Sequence, residues 1–517
     1  MLHQLRGASE NAFAYPGKTV SCCCAPQGAI LPRMFVSAGS SKYYRGALLL
    51  ALALELLVVW LPSYNAMTDY PVHIVRAHIL AYYDSSPLYR ELFEKSVLPN
   101  PNMAIDYLAT PLVPALGLVA AGKVFLSLLV ILFNLGCHFF GRAIHGASSW
   151  TSLGCALLVF HGAYQYGFVN YTFSVALLLL CLALWYSQRD AWKISSLLCL
   201  SALLTALFVS HLAGFGFAVL VMGLFWMCEI FERRHLPRRA LLEAAAFLPA
   251  ALIWISLPHG HGVKLNFGVI GASTPFEKVA AGFTLFRSGS TALDALVLLM
   301  LFGVALLAIR YREGHAKAIL RAGLFLYFMF LIMPRKFLVD SGGADVRLAI
   351  PSLLLCLMAL RFPDSRRARL FGLAILVVLG MRLVYQFEMF RRASLVTENV
   401  VQLVDRVPSG ARFWMVCESQ RILRQNLHAG DYGLARSGAI SSNYIALSFQ
   451  QPIWFLHPYP KAPELPGRLT DDLVRSTFQN FHYAVVCGFL DNRSTVLSPY
   501  ASEVLTSGPC ALWQGKT

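Results

Sequence analysis

Charge is what this chain has least of. Only 14% of its 517 residues are Asp, Glu, Lys or Arg, against about a quarter in an ordinary soluble protein. Together with 57% hydrophobic residues and a mean hydropathy of +0.58, that scarcity excludes a soluble globular protein, a disordered chain and a nucleic-acid-binding domain. Other absences narrow the choice further. No Asp-x-Asp pair stands in any predicted outer loop, so a divalent cation for a sugar phosphate is not indicated. Residues 388–517 hold no glycine-rich phosphate loop and no nucleophile elbow. The first 40 residues have no apolar core before a cleavage site, which makes a poor signal peptide. No internal repeat is visible, which counts against a transporter.

What is present is apolar length. A membrane span needs about 20 mostly apolar residues. Eleven stretches qualify, near 45–62, 119–140, 149–165, 171–187, 194–210, 212–231, 241–257, 291–309, 319–334, 346–360 and 370–387. Residues 104–118, broken by Pro111 and Pro114, read as a dipping segment. With the N-terminus inside, the short inner loops carry 15 Lys/Arg in 44 residues, and the outer loops 63–105, 258–290 and 335–347 carry 9 in 89. That is the bias of the positive-inside rule, and it explains much of the formal charge of +16. The fold class is therefore an α-helical polytopic membrane protein, in a bacterium an inner-membrane one with a cytoplasmic N-terminus and a periplasmic C-terminus. Residues 1–44 read as a disordered cytoplasmic tail, with Met34 as an alternative start.

Residues 388–517 have mixed polarity and no span. ARFWMVCE (411–418), HYAVVCGF (482–489) and CALWQ (510–514) read as strands. LTDDLVRSTFQNF (469–481) has helical spacing, so a small extracytoplasmic α/β accessory domain is expected. Cys417, Cys487 and Cys510 lie there and allow one disulfide whose pairing is open.

The first outer loop, 63–105, is the most informative. Asp69 and Pro71 mark a helix start, and Val72, Val75 and Ile79 form an apolar stripe suited to the membrane surface. His73 and Arg76 share another face. Ser85, Ser86 and Pro87 open a second short helix through Lys95. Capping alone would account for Asp69. Its place where the chain leaves the membrane, ahead of His73 and Arg76, points instead to a general base acting on an acceptor hydroxyl. Arg76 is placed to hold a lipid-linked phosphate. Asp84 and Asp106 are reserve acids. The loop 335–347 adds Lys336, Asp345 and Arg347. Arg347 would grip a departing phosphate and Asp345 would orient it; a plain solvated turn is the alternative. His161, Asn170 and His211 are polar groups at the outer ends of spans, where such groups are costly and tend to serve a purpose. His259 and His261 make a weak zinc pattern, so no metal is assigned.

TDYPVHIVRAHIL from Thr68, GFVNYTFSVALLLL from Gly167 and GGADVRLAIPSLLL from Gly342 resemble segments of bacterial membrane proteins of the GT-C class. Many spans, a long first outer loop with an acidic residue just after span 1, two short interfacial helices and an outer C-terminal domain also resemble that class. The resemblance implies an inverting hexosyl- or pentosyltransferase. It implies a polyprenyl-phosphate sugar as donor substrate, a glycan, lipid or protein acceptor, and action on the outer face of the cell envelope. It places the catalytic base at Asp69 and donor-phosphate contacts at Arg76 and Arg347. One acidic residue stands where some members have an adjacent pair, which sets a metal-dependent mechanism aside. The competing readings are a transporter or flippase of lipid-linked saccharide and a non-catalytic assembly subunit.

Overall fold

A computed structural model describes residues 42–516, except 97–98, 190–191, 235–237, 258–277, 279–283, 287, 310–315, 334–335, 338, 343–344, 362–364, 447–450 and 464–465. The expected tail thus lies outside the described residues up to residue 41, as do His259 and His261.

The described residues open with α1 (Lys42–Trp60), whose exposed side carries Leu49, Leu50 and Leu57. Apolar exposure of that kind suits lipid rather than water. The loop between the first two long helices follows with α2 (Tyr70–Tyr82), α3 (Pro87–Leu92), β1 (Phe93–Lys95), α4 (Ala104–Ala109) and α5 (Val113–Leu116). Next come α6 (Leu118–His145), α7 (Trp150–Gly154), α8 (Gly162–Gln165), α9 (Val169–Gln188), α10 (Ile194–Ser210) and α11 (Leu212–Arg233). After α12 (Arg238–Ala245), α13 (Leu248–Ser256), α14 (Thr291–Ile309) and α15 (Ala316–Ile332), a hairpin of β2 (Lys336–Phe337) and β3 (Val339–Gly342) leads to α16 (Val346–Met358) and α17 (Arg366–Val404). Among the described residues six helices are long and apolar enough to cross a membrane, and shorter apolar ones accompany them. The protein is an integral membrane protein. Helix α9 is buried along nearly its whole length, against α6, α10 and α11, and is the axis on which the candidate site is built.

Three expectations change. The stretch 149–165 is not one span. It breaks into α7, a 3-10 turn (Cys155–Leu158) and α8. The break leaves the Phe160 carbonyl without a helical donor, and Gln165, Arg382 and Gln386 supply side-chain N–H groups to it at 3.2, 3.5 and 3.0 Å. Irregular backbone at membrane depth is tolerated where protein groups satisfy it in this way. The second interfacial helix stops at Leu92, not Lys95, because Phe93–Lys95 pairs antiparallel with β6 (Ile453–Phe455) of the C-terminal domain. The stripe of α2 does not lie on the membrane surface. Val72, Val75 and Ile79 are at most 2% exposed, packed beneath α4, α6 and the C-terminal domain.

Helix α17 runs for 39 residues, about 58 Å at 1.5 Å per residue, so it exceeds a bilayer core of about 30 Å and continues into the C-terminal domain. The boundary expected at residue 388 therefore falls inside one continuous helix. Beyond it lie β4 (Arg412–Cys417), α18 (Arg421–Gln425), a 3-10 turn (Ala429–Asp431), α19 (Tyr432–Arg436) and β5 (Ile440–Ser441). After β6 come α20 (Asp471–Phe478), β7 (Tyr483–Cys487), α21 (Arg493–Leu497), β8 (Ala501–Ser507) and β9 (Cys510–Gly515). The five-stranded sheet has the order β5-β4-β7-β9-β8; β4 pairs parallel with β5 and β7, and β9 antiparallel with β7 and β8. Alternation explains the continuous apolar runs. Phe413, Met415 and Cys417 face α17, while Trp414 and Val416 face a core closed by Leu469 and Val474. Both faces are covered from Phe413 to Cys417, so each of those positions is apolar. Cys487 and Cys510, directly opposed on β7 and β9, form a disulfide.

Candidate active site

The site is built around the start of α2. Pro71 lies in its first turn, where a missing N–H costs nothing. Asp69 occupies the N-cap position with helical backbone angles, and its side chain makes no capping hydrogen bond. Capping therefore does not use its carboxylate. Its backbone N–H donates to the Tyr166 carbonyl at 2.9 Å, and its side chain is 31% exposed. Gly167 makes this contact possible. Its φ is +87°, and a Cβ there would lie 2.5 Å from the Tyr70 nitrogen and 2.7 Å from that of Asp69. Glycine alone tolerates both.

One turn along α2, His73 Nδ1 accepts from Arg76 Nη2 at 3.1 Å. Burial first, then the positive charge of Arg76 and the nearby His211 and His428, hold the His73 pKa well below the ordinary value. His73 is accordingly a neutral imidazole. Arg76 is fully buried and forks onto Asp106, Nε to Oδ1 at 2.6 Å and Nη2 to Oδ2 at 2.7 Å. Two of its three nitrogens are thus committed to tying α2 to α4, and Nη1 is buried without a hydrogen-bond partner among the described residues. Asp106, a reserve acid in the sequence, is the counter-ion of Arg76.

The opposite wall comes from the spans. Asn170 is a clamp: Oδ1 accepts from the Ile105 N–H at 2.9 Å and Nδ2 donates to the Asn102 carbonyl at 2.6 Å. It fixes the start of α4 on α9. His161 caps α8 by accepting from the Tyr164 N–H, and His211 caps α11 by accepting from the Ala213 N–H. Both rings stand edge-on to Tyr171, whose hydroxyl donates to the Arg347 carbonyl at 2.6 Å. The Arg347 guanidinium lies 4.9 Å over the Phe168 ring, within electrostatic reach of Asp69 and Asp345, and its Nε is buried without a partner among the described residues. Asp345 is buried in an ion pair with Lys278, a residue that sequence reasoning passed over. Lys336 lies on β2, and its side chain is outside the described part of the structure.

The structure thus brings Asp69, His73, His211 and Arg347 to one place, with Asn170 and His161 supporting it and Arg76 behind it. The sequence reading missed the contribution of the C-terminal domain. His428 Nε2 lies 3.9 Å from Asp69 Oδ1, and its Nδ1 lies 3.2 Å from Asp431 Oδ2. The signal was the string HAGD, a His and an Asp three residues apart, in a domain read as accessory. A cavity of about 680 Å³ lies beside α2 and shares Tyr432, the residue after Asp431; Trp60, His78, Lys123 and Arg436 also line it. No cluster of three or more His, Cys, Asp or Glu side chains able to hold a metal occurs among the described residues.

This fold, a helical membrane domain whose first inter-span loop carries short helices packed against a small C-terminal sheet domain, is GT-C-like. Two crystal structures of ArnT from Cupriavidus metallidurans share it. The apo form gives a TM-score of 0.54 at 11% identity, covering 91% of this chain and 98% of ArnT. The form bound to undecaprenyl phosphate gives 0.56 at 11% identity, covering 92% and 98%. No protein-family model matches the sequence, and no curated protein matches it significantly.

Proposed function

We propose that this protein is an inverting membrane glycosyltransferase that moves a hexose or pentose from a polyprenyl-phosphate donor to an acceptor on the outer face of the membrane. The observation that carries the reading is Asp69: a partly exposed carboxylate, not used to cap its helix, within electrostatic reach of an arginine whose Nε has no hydrogen-bond partner among the described residues. An acceptor hydroxyl beside Asp69 loses its proton to the carboxylate and attacks the anomeric carbon. Arg347 stabilises the charge that develops on the leaving phosphate, a term that is often the largest in catalysis. Support for the donor class comes from ArnT, which shares the fold and binds undecaprenyl phosphate. The disulfide supports an extracytoplasmic C-terminal domain, since disulfides persist on the oxidising side of a membrane.

The test uses purified protein in liposomes with a panel of radiolabelled polyprenyl-phosphate hexoses and pentoses. Asp69→Asn is expected to abolish transfer while undecaprenyl phosphate still raises the melting temperature. Arg347→Gln is expected to weaken that thermal response and to lower transfer by about 100-fold. Wild-type transfer by Asp69→Asn would remove the base from this reading.

A further inference from the structure

The C-terminal domain meets Asp69 through one short turn. His428 and Asp431 are 2% and 0% exposed. A buried carboxylate is costly unless it is paired, and Asp431 has the imidazole of His428 at 3.2 Å and a side-chain hydrogen bond from Ser441. With Nδ1–H donated to Asp431, the other ring nitrogen keeps its lone pair and faces Asp69 Oδ1 at 3.9 Å. We infer that His428, oriented by Asp431, is the positioning residue for Asp69 and takes from it the proton released by the acceptor. The inference rests on Asp69 being the base.

The steps balance. The acceptor O–H bond breaks as its oxygen bonds to the anomeric carbon. The carbon–oxygen bond to phosphate breaks, and the phosphate leaves with the electron pair. The proton goes to Asp69, then to His428 Nε2, and the imidazolium rests against the Asp431 carboxylate until water removes the proton. The gap of 3.9 Å must close to a hydrogen bond of about 2.6–3.2 Å, as catalytic contacts that are long in empty sites do. The groups around His428 suit the task. Asp69 and His73 face it from α2 and Asp431 from its own turn; behind them Arg76 is neutralised by Asp106, and Tyr444 stands near Arg76 and Asp431. Burial raises the Asp431 pKa, opposed by His428 and by the hydrogen bond from Ser441.

His428→Asn can still donate to Asp431 but cannot take a proton. The expected result is a kcat lower by about 10- to 100-fold, with KM and the melting response to undecaprenyl phosphate within about twofold of wild type. The acid limb of the pH–kcat profile should shift from its wild-type position, and Asp431→Asn should move it in the same sense. A folded His428→Asn with wild-type kcat, or one that loses kcat with the acid limb in place, overturns the inference. Should that variant fail to fold, His428→Gln and Asp431→Asn decide by the same criterion. Transfer that is lost in Asp69→Asn and unchanged in His428→Asn leaves the base and removes the relay. Transfer that survives in Asp69→Asn removes the base itself, whatever His428 does.

Discussion

A buried guanidinium is stable only with its counter-ion in place, and that decides how Arg76 and His73 behave. Removing one partner of a buried pair costs about 3–5 kcal/mol, because the other charge is left stranded. Arg76→Gln and Asp106→Asn should each lower the yield of folded protein sharply, and Arg76→Met with Asp106→Leu should recover most of it. Fluorescence size exclusion of the three variants reads this directly. His73 gives a pH test. An ordinary histidine titrates near 6.5, whereas burial, Arg76, His211 and His428 hold His73 well below that in the folded state. Below about pH 6.5 the unfolded chain therefore binds a proton that the folded chain refuses. The stability this histidine contributes is present above that pH and is lost as pH falls towards the folded-state pKa, by up to about 1.4 kcal/mol per pH unit. His73→Gln should flatten the fall in melting temperature between about pH 7.5 and 5.5; an unchanged slope would refute the assignment. The i, i+3 spacing of His73 and Arg76 was legible in the sequence. Their surroundings were not, because Asp106 arrives 30 residues later, beyond α3 and β1.

At the scale of the element, the turn between α8 and α9 sets the position of Asp69. Gly167→Ala adds a Cβ within 2.7 Å of the Asp69 and Tyr70 backbone nitrogens at a φ of +87°. Such a contact must push α2 away from the turn. A shift of about 1 Å in a reacting group can cost about 100-fold in rate, so the expected result is a folded protein with transfer reduced by at least about tenfold. Asn170→Ala should act in the same sense by releasing α4. Its effect is read as a kcat loss with intact expression, and an unchanged kcat would show that the clamp does not position the site. The polar cluster HGAYQYGFVN was visible in the sequence and marked this region. The break in the helix was not, because Arg382 and Gln386, which satisfy the Phe160 carbonyl, lie more than 220 residues downstream in what reads as an unremarkable span.

For the whole molecule, the C-terminal domain contributes side chains to the candidate site, with His428 Nε2 3.9 Å from Asp69 Oδ1. The strands legible in the sequence, β4, β7 and β9, are the inner three of the sheet, where both faces are apolar. Strand β8 escaped because its burial pattern is almost wholly exposed, and β1 and β6 escaped because each is only 3 residues long and exists through the other. That last pairing fastens the first outer loop to the domain that carries His428, so the stability of the domain bears on the geometry at Asp69. The disulfide Cys487–Cys510 closes a separation of 23 residues next to that face. Loss of such a bridge typically costs about 2–4 kcal/mol. Cys487→Ser with Cys510→Ser should lower the melting temperature by several degrees and make transfer more heat-sensitive, while the response to undecaprenyl phosphate at low temperature is retained. The bridge also reports sidedness. Leu490 is 71% exposed, three residues past β7, and Leu490→Cys should react with a membrane-impermeant maleimide in intact spheroplasts. Labelling only after permeabilisation would place the domain in the cytoplasm. It would then be on the reducing side, where this disulfide would not persist, and the transfer reaction could not take place on the outer face.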